Sequence, residues 1–179
     1  DIAGTIVGMV KNEKDLINGK KDILVGDSVI AYKSSGAHTN GFSLIRKLIE
    51  SGRIDINNST ELNIVKNLCS PHRCYLDIFK EIKEHNKIKI HGCCHVTGGG
   101  LEENMNRVLP DNMSVRYNSN YIDENFRFLQ DKGISEEEMK RVFNCGIGFI
   151  FIIDTNDKYK LFRGDKIAGF MDLGSIVTK

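Results

Sequence analysis

Charge of one sign is missing from this chain: 25 Lys and Arg stand against 24 Asp and Glu, a formal net charge of +1. A strongly basic surface is the usual footprint of a nucleic-acid or anionic-membrane binder, so neither partner is expected. Any phosphate site must then be built locally. Long apolar runs are missing too. The longest, Ile147–Ile153 interrupted by Gly148, falls far short of the roughly 20 residues that cross a bilayer. No basic segment followed by an apolar stretch opens the chain, so no export signal is expected. The five cysteines (Cys69, Cys74, Cys93, Cys94, Cys145) form an odd set without regular spacing. That argues against a disulfide framework and for reduced thiols in the cytoplasm. No internal repeat, heptad run or low-complexity linker is present.

What remains is ordinary for a soluble globular protein: 40% apolar and 27% charged residues. At 179 residues a single domain over the whole chain is expected, burying roughly 70% of the surface an unfolded chain exposes. The chain opens on Asp1, without an initiating Met, and reads as a piece of something longer.

Hydrophobic periodicity predicts strands over residues 2–10, 27–32, 88–96, 113–117, 147–153 and 168–176. Helical stripes interleave with them. Leu44, Ile45, Leu48 and Ile49 form one, ended by Ser51-Gly52. A polar stretch through Asn57-Asn58-Ser59-Thr60 is expected to be loop, and Pro71 to introduce a helix with Tyr75, Ile78, Phe79 and Ile82 on one face. The helix after the triglycine must stop near Leu109, before Pro110. A short helix is expected over residues 126–130, and Ser135 with Glu138 fits a capping box that buries Met139, Val142 and Phe143. Strands interleaved with helices indicate an α/β layered domain.

Two segments share one design, a strand, a short Gly/Ser/Thr loop and a helix. They are Ser34-Ser35-Gly36-Ala37-His38-Thr39-Asn40-Gly41 and His95-Val96-Thr97-Gly98-Gly99-Gly100. A helix start offers unpaired N–H groups and the positive end of the macrodipole, the geometry that holds phosphate. The helix field alone stabilises an anion by about 0.3–1 kcal/mol, so direct hydrogen bonds must supply most of the affinity. In the first loop the Ser34, Ser35 and Thr39 hydroxyls can donate to phosphate, Gly36 and Gly41 allow close approach, and Asn40 can cap the helix. His38 alone in that loop can move protons near neutral pH. A plain strand-to-helix turn with a surface His38 is the competing reading. In the second loop three consecutive glycines imply close approach of a ligand or another backbone, while Glu102 and Glu103 must point away from any anion.

Ligand-type residues also cluster. His91, Cys93 and His95 alternate along one strand and share a face, and Cys69, His72 and Cys74 lie upstream. The spacings match no common zinc pattern, so buried thiols and satisfied histidines are expected and no metal site is assigned, though a structural zinc protein remains a third reading.

Taken in order, further runs join the two loops: Asp1-Ile2-Ala3-Gly4, Ser43-Leu44-x-Arg46-Lys47, Pro71-x-Arg73-x-Tyr75, Leu101-x-Glu103-Asn104, Arg107-Val108-Leu109-Pro110 and Phe143-Asn144-Cys145-Gly146-x-Gly148. Together they resemble the C-terminal half of the aminoimidazole ribonucleotide (AIR) synthetases, the phosphoribosylformylglycinamidine cyclo-ligases, over nearly the whole chain. The resemblance implies a three-layer α/β/α domain with a mixed sheet, partly ferredoxin-like. It also implies a reaction in which formylglycinamidine ribonucleotide and ATP give aminoimidazole ribonucleotide, ADP and phosphate. An amide oxygen is a poor leaving group, so ATP first converts it to an iminophosphate. The neighbouring nitrogen then closes the ring.

On that resemblance His38 is the proton carrier or amide-polarising donor. Ser34, Ser35, Gly36, Asn40, Gly41, Thr97, Gly98, Gly99, Gly100 and Asn104 form the substrate and phosphate cradle, with Arg46 and Arg107 as possible counter-charges. ATP and Mg2+ are bound mainly by an N-terminal domain whose glycine-rich segment, lysine and aspartates have no counterpart here. That domain is an expected partner, within a homodimeric parent enzyme. This chain alone is then catalytically incomplete, and a stand-alone binding module for a phosphorylated metabolite is the alternative. His72 stands where the family usually has Thr, and Cys74, Cys93 and Cys94 replace apolar or small residues.

Overall fold

The structure, a computed structural model, describes residues 3–85, 87–118, 121–162 and 169–179. In chain order its elements are α1 (Gly19–Asp22), β1 (Ser28–Lys33), α2 (Phe42–Glu50), α3 (Ser59–Leu68), α4 (Leu76–Lys80) continuing into a π-helical turn (Glu81–His85), β2 (Ile90–His95), α5 (Gly100–Val108), β3 (Met113–Tyr117), α6 (Glu124–Asp131), α7 (Glu136–Val142), β4 (Ile147–Ile153), α8 (Lys158–Phe162) and β5 (Phe170–Thr178). Short 3-10 turns lie at Glu13–Asp15 and Thr155–Asp157.

The strands form one five-stranded sheet in the order β2-β4-β1-β5-β3. The α/β expectation is met. The mixed sheet is not: every pairing among the described strands is antiparallel. Side chains alternate across the sheet. Val29 and Ala31 of β1, with Ile150 and Ile152 of β4, face a core closed by Ile23, Met105 and Leu109. Ile30 and Tyr32, with Phe151 and Ile153, face the opposite core with Tyr75, Ile82 and Leu161. Helical segments therefore cover both faces. A further cluster of α2, α3, α6 and α7 packs around Ile45, Leu48, Leu68, Phe126, Leu129 and Phe143.

All five strands were foreseen within two residues at each end, β3 and β4 to the residue; Ala168 of the expected last strand lies outside the described residues. The expected first strand does not form over residues 3–10, and Asp1 and Ile2 lie outside the described residues. Ile6, Val7 and Met9 are almost wholly exposed, and no strand among the described residues pairs with them. β-branched composition makes a strand only where an edge accepts it. The polar stretch at Asn57–Thr60 also departs from expectation. Asn58 accepts from the N–H groups of Thr60 and Glu61 and starts α3. The helix after Pro71 begins only at Leu76.

Candidate functional site

Because β1 and β2 each pair antiparallel with β4, they run in the same direction and end at the same end of the sheet. The two glycine-containing loops leave from those ends. Ser34 N–H donates to Gly146 O at 2.8 Å and Val96 N–H to Gly148 O at 3.0 Å, pinning both loops to the start of β4. They meet: a Cβ built on Gly98 would lie 3.4 Å from Asn40 Oδ1, and the His38 and His95 rings are 5.6 Å apart. His38 and the triglycine share one end of the domain.

In the first loop the two serine hydroxyls serve the fold. Ser34 Oγ donates to Asn144 Oδ1 at 3.3 Å and Ser35 Oγ to Pro71 O at 2.8 Å. Gly36 O accepts from Asn144 Nδ2 at 2.9 Å. Asn40 does not cap the helix. Gly41, at φ +81°, holds the N-cap position, and no side chain bonds there. No side chain takes the first-turn N–H groups of α2; Leu44 N–H donates to Gly41 O at 3.0 Å, and those of Phe42 and Ser43 are left for solvent or a ligand. His38 is no surface residue: it is 3% exposed and adopts φ +57°.

The second loop is braced from within. Asn104, 4% exposed, donates through Nδ2 to the carbonyls of Thr97 (3.3 Å), Gly98 (3.3 Å) and Gly100 (2.7 Å). Its Oδ1 accepts from Thr97 Oγ1 at 3.2 Å. Thr97 and Asn104 therefore shape the turn. Gly99 caps α5 at φ +93°, again with no capping side chain. Gly100 sits at φ +67°, where a Cβ would run into the Lys140 carbonyl. A close backbone explains that glycine. Glu103 pairs with Arg107, which also donates to Asn104 Oδ1 at 3.3 Å; Arg107 braces the loop, and Arg46 is exposed on α2.

Around His38 the structure assembles residues from separate segments. Tyr75 Oη lies 2.9 Å from His38 Nε2. The His72 ring stacks on His38 at 3.8 Å and 9°, and His72 Nε2 lies 2.8 Å from His95 Nε2. His38 Nδ1 is buried with no hydrogen-bond partner among the described residues. Burial, followed by the charges of His72, His95 and Arg73, lowers the His38 imidazole from 6.5 to about 4. It is neutral at pH 7, below the near-neutral value its proposed task suggested. Burial first also lowers His72 and His95 and raises the Tyr75 phenol, which stays protonated.

Sequence reasoning placed Tyr75 in a core face, and Asn144 and Gly148 only in a motif. Gly148 is where Tyr75 Oη reaches the sheet, since a Cβ there would occupy the hydroxyl's place. The two ligand groupings drawn from spacing do not assemble. A register shift between Ile90 and Gly92 takes His91 out of alternation, and it pairs at 2.8 Å with buried Asp27. Cys69 and Cys74 are exposed, not buried, and all five cysteines are free.

Mg2+ prefers hard oxygen ligands in octahedral geometry. Among the described residues the one ligand-type grouping is three imidazoles. That grouping does not suit Mg2+. Beside the triglycine a cavity of about 740 Å³ is lined by Gly99, Leu101, Tyr117, Tyr121, Lys140 and Phe143 among others. Another, of about 400 Å³, is lined by residues between Glu13 and Ile90 and by none of the candidate residues. No helix among the described residues is long and apolar enough to cross a membrane.

A phosphoribosylformylglycinamidine cyclo-ligase of Prochlorococcus marinus (strain NATL2A) is 39% identical over 163 residues, covering 88% of this chain and 46% of the relative. One from strain MIT 9312 is 38% identical over 187 residues, covering 100% and 53%. One from Nitrosococcus oceani is 40% identical over 161 residues, covering 88% and 44%. The chain spans about half the length of the curated relatives it matches. Residues 25–160, which carry both glycine-containing loops and the His38 cluster, match the family described as AIR synthase related protein, C-terminal domain, and the chain belongs to that family.

Proposed function

We propose that this chain is a single folded unit, the substrate-binding half of an ATP-dependent cyclo-ligase that converts formylglycinamidine ribonucleotide to aminoimidazole ribonucleotide in purine biosynthesis. The observation that carries the reading is the convergence of two side-chain-uncapped helix starts, α2 and α5, at the sheet end that holds His38. Relatives bearing the cyclo-ligase name support it.

Each part has a task. The first-turn N–H groups of α2 and α5 that no carbonyl takes, beginning with Phe42, Ser43 and Leu101, grip the ribose phosphate. Asn104, Thr97 and Asn144 keep the loops in the shape that presents those donors. His38, held at Nε2 by Tyr75, works through Nδ1. As a neutral imidazole it takes the proton from the attacking nitrogen, or in its other tautomer offers an N–H to the amide oxygen. An anionic phosphate entering the cleft raises its affinity for a proton toward the working range. ATP and Mg2+ belong to an N-terminal half acting as partner, in a homodimeric, cytoplasmic enzyme; the 179-residue chain alone gives no turnover.

Steady-state kinetics of the full-length enzyme carrying His38→Asn test the reading, Asn being tolerant of positive φ. We expect kcat to fall more than about tenfold, a loss above ~1.4 kcal/mol, with a small change in KM. A smaller fall in kcat removes His38 from the chemistry.

A further inference from the structure

We infer that His38, His72 and His95 form a binding site for one divalent transition-metal ion of the zinc class. One ring nitrogen of each lies within 4.8 Å of the others, and no other group of ligand-type side chains comes together among the described residues. The three come from different parts of the chain: the loop after β1, the segment before α4, and the end of β2. The metal proposal does not depend on the cyclo-ligase reading, since binding is measured without substrate or ATP.

Zinc takes neutral imidazole at about 2.0–2.1 Å, which places two ligand nitrogens roughly 3.3 Å apart in a tetrahedral site. His72 Nε2 and His95 Nε2 are already 2.8 Å apart, so they need to separate only slightly. His72 must swing out of its stack on His38, and its exposed position allows that. His38 is the buried anchor. Its Nδ1 has no partner among the described residues, while Nε2 is bonded to Tyr75. A second-shell hydrogen bond at the other ring nitrogen is how metal-ligating histidines are commonly oriented. Neutral imidazole is the form that binds metal.

Three imidazoles leave a fourth position open, as in catalytic zinc sites. They add no negative charge, and Arg73 bears on His38 as a further cation. Hydroxide or a phosphate oxygen is therefore the favoured fourth ligand. A bound metal takes the lone pair of His38, so metal binding and proton transfer at that residue exclude each other.

The test is Zn2+ titration of the full-length protein, tag removed and chelator-stripped, by competition with a coloured chelator; Co2+ absorption in the visible reads the coordination. We expect one strongly bound ion per chain, weakened by about 100-fold or more in His72→Thr and unchanged in Cys69→Ser. His72 is exposed, so its variant keeps the fold, as circular dichroism checks. Absence of stoichiometric binding, equal affinity in His72→Thr, or weakening in Cys69→Ser to the same degree would each overturn the assignment.

Discussion

Acidification should destabilise the metal-free chain through His38. Folding holds that imidazole at about 4 instead of 6.5, chiefly by burial and then by the neighbouring charges of His72, His95 and Arg73. Unfolding restores the ordinary value. Well above pH 6.5 neither state takes the proton. Between about pH 6.5 and 4 the unfolded chain takes a proton that the folded chain refuses, and stability falls by about 1.4 kcal/mol per unit. Below that window both states bind it and the loss levels off. From pH 7 to pH 5 one such group costs about 2 kcal/mol. His72 and His95 are lowered too and act in the same direction, so the His38 share must be isolated. Urea unfolding of chelator-treated wild type and His38→Asn at both pH values does this. The wild type should lose about 2 kcal/mol more than the variant. Profiles parallel to within about 0.5 kcal/mol would refute the assigned burial and charge environment.

Other outcomes follow from single contacts. Tyr75→Phe removes the hydroxyl that meets His38 Nε2 and should cost about 1–3 kcal/mol in urea unfolding, because a buried partner is left unpaired. A loss near zero would show that the bond does not form. Gly100→Ala, at φ +67° with the Lys140 carbonyl in the way, should cost about 3 kcal/mol and lower Tm by roughly 6–12 °C; an unchanged Tm contradicts the close approach. Asn104→Ala removes the side-chain donor shared by three loop carbonyls. It should destabilise by about 2–4 kcal/mol and raise KM for the phosphorylated substrate more than it lowers kcat. A variant with wild-type stability and KM would show that the bracing is dispensable.

Much of this architecture was legible locally. β4 is an apolar run interrupted only by Gly148, and Ser135 does accept from the Glu138 N–H, the capping half its spacing suggested. The meeting of the two loops could be anticipated only through the ordered motifs, because it depends on which strand separates β1 from β2. α3 was missed although Asn58 followed three residues later by Glu61 is itself a helix-start signal. The imidazole cluster was hidden for a different reason. Its members lie in three segments, and strand alternation pointed instead to His91, which a bulge turns toward Asp27. Residues 3–10 show the reverse error: local composition satisfied a strand rule, but no strand among the described residues pairs with them.

Amide chemical shifts of the protein titrated with formylglycinamidine ribonucleotide bear most directly on whether the paired helix starts grip phosphate. The account predicts the largest shifts at the helix starts, Gly41, Phe42 and Ser43 of α2 and Gly99 and Leu101 of α5, with the His38 ring signals moving alongside. Shifts confined to the cavity wall at Tyr117, Tyr121 and Lys140, with those helix-start amides unmoved, would contradict it.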